Sequence, residues 1–122
     1  MERAVIAYPD VEAIVAMNSV MALGTMSALE AEGRLDDVVV TGMGGQPDEL
    51  EMVARGRIGV AVFRDPRSMG ANSADALIMD VRGRSAEIPR VLYTDLRTLD
   101  STDKIREFVP KEMLDIDAAL AD

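Results

Sequence analysis

Along the chain, short runs of branched aliphatic residues alternate with longer stretches in which apolar positions recur every three or four residues. The first piece, Ala4-Val5-Ile6-Ala7, fits the last turn of a helix, and Tyr8-Pro9-Asp10 breaks it because the residue before proline avoids the helical region. Ala13 to Met17 is a continuous apolar strand. Asn18-Ser19 then offers a cap to a helix over 20–32, whose inward stripe is Ala22, Leu23, Met26 and Leu29. Gly33 supplies a left-handed stop.

Val38-Val39-Val40 opens the central strand, a β-branched run of the kind buried on both faces of a sheet. It passes into Gly42-Met43-Gly44-Gly45, and Pro47 follows where its fixed φ suits a first helical residue. Asp48 and Glu49 are favourable charges at the positive end of that helix's dipole. The helix carries Leu50, Val53 and Ala54 on one side and stops at Gly56. A third strand spans 58–63, and Arg64-Asp65-Pro66 leads into a helix over 67–82 with a seam at Gly70, Ala74, Leu77, Ile78 and Val81. A last strand is expected over 90–97. Two short helical pieces divided by Pro110 follow, the second placing Met113, Ile116 and Leu120 on one face.

Strand and helix alternating with short links is the signature of βαβ units, so the fold class is α/β with a small parallel sheet. In such sheets ligands sit at the carboxyl ends of strands, which puts Met43 to Gln46 beside any binding site. Three or four strands make a thin sheet, and strands of this type demand helices on both faces. Self-association, or a place in something larger, is therefore expected.

Composition narrows the chemistry. At 122 residues a single domain is the natural reading. Only 3% of residues are aromatic, so the core must be built from aliphatic side chains and nine methionines. A formal charge of −9 argues against a nucleic-acid face. Without cysteine or histidine there is no thiolate chemistry, and the commonest general base and transition-metal ligand are missing. Asp95, Asp100 and Asp103 lack the spacing and central glycine of a calcium loop. No catalytic pair, nucleophile elbow or P-loop can be assembled, and neither enzyme activity, a metal nor a cofactor is expected.

From Tyr8 to Leu99 the chain resembles one pattern. Tyr8 to Leu29, Val38 to Gly45, the Pro47 helix, Gly56-Arg57-Ile58-Gly59, Val62-Phe63-Arg64-Asp65-Pro66 and Met69-Gly70 are similar, in order and spacing, to the C-terminal lobe of type I periplasmic solute-binding proteins of the ribose and galactose kind. Lactose-repressor-like regulators share that lobe, but the gap between Gly45 and Pro66 fits the transport type better. The resemblance implies a three-layer α/β sandwich, a sugar or related solute as ligand, a membrane permease as partner and a periplasmic location. Met1-Glu2-Arg3 does not begin a secretory signal. It further implies that 9–63 and 90–99 form the lobe core, that 66–83 packs on a second lobe, and that 104–122 is a helical tail. The apolar seam of 67–82 should then fold back on its own chain or be covered in a homodimer.

Ligand contacts carried by the resemblance are Asn18, the Met43–Gly44 turn, Arg64 and Asp65. Three departures stand out. Ser19 stands where the family commonly has Asp, Gly44 replaces its sugar-gripping Asp, and Arg64 replaces a Gln or Asn. Loss of an anion and gain of a cation point from neutral sugar towards a carboxylated solute. Residues 18, 44 and 64 are expected along one rim.

Plainer readings stand beside these. Asn18 is a good helix cap from its position alone. The glycines form a tight turn as readily as a phosphate loop, and the dinucleotide fingerprint fails at Pro47. Arg64 beside Asp65 is also what a surface pair looks like. The leading functional reading is a non-catalytic solute-binding lobe. The alternative is a structural, self-associating module derived from such a lobe.

Overall fold

The computed structural model describes residues 2–121. In chain order the elements are α1 (Glu2–Ala7), β1 (Ala13–Val15), α2 (Ser19–Ala31), β2 (Val39–Gly44), α3 (Pro47–Ala54), β3 (Val60–Arg64), α4 (Pro66–Val81), a 3-10 turn (Ser85–Glu87), β4 (Leu96–Leu99), α5 (Thr102–Phe108) and α6 (Ile116–Ala119). The strands form one sheet in the order β1-β2-β3-β4. β2 runs parallel to both neighbours, with Val15 opposite Thr41, Thr41 opposite Val60, and Gly44 opposite Phe63. The chain divides into two compact units, residues 1–63 with 97–122, and residues 64–96.

In the first unit α2 and α3 start where the sequence offers a start signal. Asn18 Oδ1 accepts the backbone N–H of Met21 at 2.8 Å to open α2, and Pro47 is the first residue of α3. Gly33, at φ 67°, turns the chain out of α2 in the left-handed region that β-carbon-bearing residues avoid. Ala22, Met26 and Leu29 of the expected stripe are buried, with Thr25 and Ala28 beside them, while Leu23 is half-buried. Leu50 and Val53 do the same for α3. The tail joins this core through Leu99, Ile105, Val109 and Ile116. Arg106 helps hold its two pieces together, reaching Asp117 on α6 at 2.7 Å from α5, and that contact draws the Asp117 carboxyl below its ordinary range.

The sheet departs from expectation on its other face. Val40, Ala61 and Phe63 are buried among the helices, but the alternate positions are not. Val15 is 75% and Val39 56% exposed, and Thr41, Met43, Val60 and Val62 are only half-buried. The lobe is α/β, as expected, and the half-exposed positions share one face of its sheet. The Val38–Val40 run is accordingly buried on one face and not on both.

In the second unit Asp65 caps α4 by accepting the Arg67 N–H at 2.9 Å, and Pro66 follows as its first residue. None of the residues of α4 is buried. Of the expected seam, Leu77 is 63% and Val81 79% exposed. After the helix, Arg84 and Glu87 form a two-pronged ion pair at 2.8 and 2.6 Å, which pulls the Glu87 carboxyl below its ordinary value. The final strand is displaced towards the C-terminus: it covers Leu96–Leu99, not 90–97. Val91 and Tyr93 are exposed, so their apolar run finds no neighbour to pair with. Leu99, wholly buried, is the residue whose burial draws the strand into place.

The two kinds of apolar residue should separate in chemical denaturation. Leu50→Ala, removing a side chain with no exposure, should cost about 2–5 kcal/mol. Leu77→Ala should stay within roughly 0.5 kcal/mol of the parent chain.

Candidate functional site

Sequence places the candidate site at the carboxyl ends of β1 and β2, and two turns meet there. The first leaves β1 and enters α2 through Asn18 and Ser19. Asn18 is exposed, and its side-chain oxygen is committed to Met21 N. What it turns outward are the donors of its amide. Ser19 is buried instead, as the first residue of α2. Its hydroxyl donates to Glu49 Oε2 at 2.6 Å and lies 3.5 Å from the Met43 carbonyl oxygen.

The second turn, Gly44-Gly45-Gln46, leaves β2 and enters α3. Glu49 is the third residue of that helix, and its carboxyl group points back beneath the turn rather than out to solvent. Oε2 accepts the Gly45 N–H at 2.7 Å as well as the Ser19 hydroxyl. One oxygen thus ties the start of α2, the turn after β2 and the first turn of α3. A typical hydrogen bond contributes about 0.5–1.5 kcal/mol net, and a buried polar group left without one costs about 1–3 kcal/mol. The other oxygen, Oε1, is buried with no hydrogen-bond partner. It lies against Gly42, where any β-carbon would collide with it.

The glycines are explained by this packing. A β-carbon on Gly44 would sit 2.6 Å from Ser19 Oγ and 3.9 Å from Glu49 Oε2, and the residue has φ 143°. At Gly45, φ 79°, a β-carbon would strike the Phe63 ring. The turn is therefore closed underneath by Ser19, Glu49 and Phe63 rather than hollowed to receive a phosphate.

Of the expected contact residues, Asn18, Met43 and Gly44 belong to this region. Ser19, the neighbour of Asn18, reaches the Met43 carbonyl, and it lies within 2.6 Å of the point where a Gly44 β-carbon would be. Met43 offers the region its backbone, because its side chain alternates to the uncovered sheet face with Val62. Arg64 is exposed and is the last residue of β3. Asp65 is occupied as the cap of α4, with Arg67 Nε 4.0 Å from its carboxyl oxygen. Both belong to the second unit.

Glu49 and the inward role of Ser19 escaped sequence reasoning, which took Glu49 for a dipole charge. The signal was there: an acidic residue three positions after the helix cap, at capping-box spacing, next to glycines clustered enough to admit a close neighbour.

With this geometry in view, comparisons place the chain. A family model described as a periplasmic binding protein domain matches residues 1–85. The ribose import binding protein of Escherichia coli is 32% identical over 87 residues, covering 71% of this chain and 29% of that protein. Among solved structures, an ABC transporter solute-binding protein of Bacillus halodurans with bound myo-inositol is 32% identical at a TM-score of 0.71, covering 88% of this chain and 36% of that one. A periplasmic solute-binding protein of Actinobacillus succinogenes with bound D-allose has a TM-score of 0.78 at 25% identity, with the same coverage. The chain spans less than a third of the length of the curated relatives it matches, 25% and 29% of the first two.

Gly42→Ala should cost about 1–3 kcal/mol in urea denaturation, because the added methyl collides with a carboxyl group that has nowhere to go. The same change at Gly24, with open space around it, should be neutral or slightly stabilising.

Proposed function

The chain belongs to the periplasmic binding protein domain family, and we propose that its first unit is a non-catalytic lobe holding a small sugar-like solute. The reading rests on one observation. Asn18 and the Met43–Gly45 backbone form a rim at the carboxyl ends of β1 and β2, the position where α/β sheets take their ligands. Relatives named or crystallised for ribose, D-allose and myo-inositol supply the ligand class. Periplasmic location and a membrane permease as transport partner follow from the same kinship.

A finer preference is part of the proposal. Asn18 has its oxygen engaged and its N–H donors turned outward, and Gly44 carries no acceptor side chain. An outward amide donor favours a ligand rich in acceptors, such as a sugar acid. Arg64 and Asp65 are proposed as further contacts on the resemblance alone. Binding by one lobe leaves much of the ligand wet, so affinity should be weak until a second lobe or subunit completes the cleft.

A second reading, the self-associating structural module, is favoured by the uncovered sheet face around Val15 and Val39. Leaving such side chains in water is unfavourable, since full burial stabilises each by about 1.5–3 kcal/mol.

Titration of the isotopically labelled chain with D-ribose, D-allose, myo-inositol and D-galacturonate, followed by amide NMR, tests the binding reading. Resonances of the Asn18 side-chain amide and of Gly44 should move at millimolar ligand, most strongly with galacturonate. Asn18→Ala should weaken the response about tenfold, the worth of one hydrogen bond. If no ligand moves these resonances while light scattering shows a dimer, the structural reading replaces it.

A further inference from the structure

We propose that Glu49 is the positioning residue of this rim, a buried carboxyl group that sets the geometry of Asn18 and of the Gly44–Gly45 turn and reserves position 44 for glycine. The inference rests on the binding reading above and names what would shape its specificity.

Three observations carry it. Glu49 is fully buried, yet both its protein donors come from other segments, Ser19 at 2.6 Å and the Gly45 N–H at 2.7 Å. Those donors flank the rim: Ser19 follows Asn18 in sequence, and Gly45 follows Gly44. A shift of the carboxyl group must therefore move both halves of the rim, whereas an ordinary core side chain touches neither through a directed bond. Finally, Oε1 lies buried and unpartnered against Gly42. No water-facing alternative is available to it, so the group is held in one orientation.

The consequence for specificity is steric and electrostatic together. Any side chain at position 44 would start 2.6 Å from the hydroxyl that Glu49 holds and 3.9 Å from Glu49 Oε2. An acidic side chain there would also bring a second carboxyl group up against that of Glu49. Glu49 and Gly44 are thus a matched pair: the acid lies inside the turn, and the outer surface shows backbone, the Asn18 amide and the exposed Gln46 side chain. At position 44 the rim therefore meets a ligand through backbone and not through an ionised side chain.

The test uses the ligand-free chain, so that its failure and the failure of ligand binding are separable. In Glu49→Gln, amide NMR should show hydrogen exchange at Gly45 at least tenfold faster and displaced Asn18 side-chain amide resonances. Leu50→Ala, a core variant next in sequence, is the control for lost stability and should leave the Asn18 amide in place. Ser19→Ala, which removes one leg of the tie, should reproduce the Asn18 displacement and serves where Glu49→Gln does not fold. A second arm compares Gly44→Asp alone with Gly44→Asp in a Glu49→Ala background by urea denaturation. The single change should be the more destabilising relative to its own background. Unmoved Asn18 resonances in both Glu49→Gln and Ser19→Ala, an equal displacement in Leu50→Ala, or strictly additive effects of the 44 and 49 substitutions would each overturn the proposal.

Discussion

A single carboxyl oxygen, Glu49 Oε2, is where the first unit's local structures become one object. Each element near it is readable separately: a capped helix, a β-branched strand, a proline-led helix. None of those features fixes the relation between α2 and α3. The Ser19 and Gly45 bonds do, because they are short, directed and shielded from water. In a low-dielectric interior such bonds are stronger than at the surface, and leaving one unmade is correspondingly expensive. The glycines then follow as a requirement of space. Gly42 and Gly44 lack β-carbons because the Glu49–Ser19 tie occupies the volume those atoms would need.

This reverses the sense in which the Gly-rich turn invites interpretation. Glycines after a strand suggest a backbone bared towards a ligand, and a phosphate loop is the extreme case. Here the close approach comes from within the protein, from Glu49 at Gly42, Ser19 at Gly44 and Phe63 at Gly45. The turn still lies where α/β sheets take ligands, but its conformation is dictated from below. The groups left outward are those the internal bonds do not use, and the Asn18 amide nitrogen is the clearest of these.

Legibility in the sequence followed physical scale. Helix faces set by a period of three to four, such as Ala22, Met26 and Leu29, were plain because many weak contacts all point one way. Glycine stops were plain because a left-handed φ is nearly theirs alone. The last strand was misplaced because Val91, Leu92 and Tyr93 look like a strand in isolation, while strand formation needs a partner edge and Leu99 is the residue with a core to enter. Glu49 was hidden for a different reason. A surface charge at a helix start and a buried tie have the same letter in the same place, and only the surrounding glycines separate them.

The uncovered faces obey the same logic. Val39 and Val15 on the sheet, and Leu77 and Val81 on α4, carry the apolar pattern of buried residues without the burial. Hydrophobic patterning records the environment a surface is built for, since an exposed aliphatic position gains nothing from being Val or Leu. The pattern therefore exceeds what each unit covers by itself, and the chain accounts for less than a third of its curated relatives' length. The Ser19–Glu49–Gly45 tie touches none of these uncovered residues.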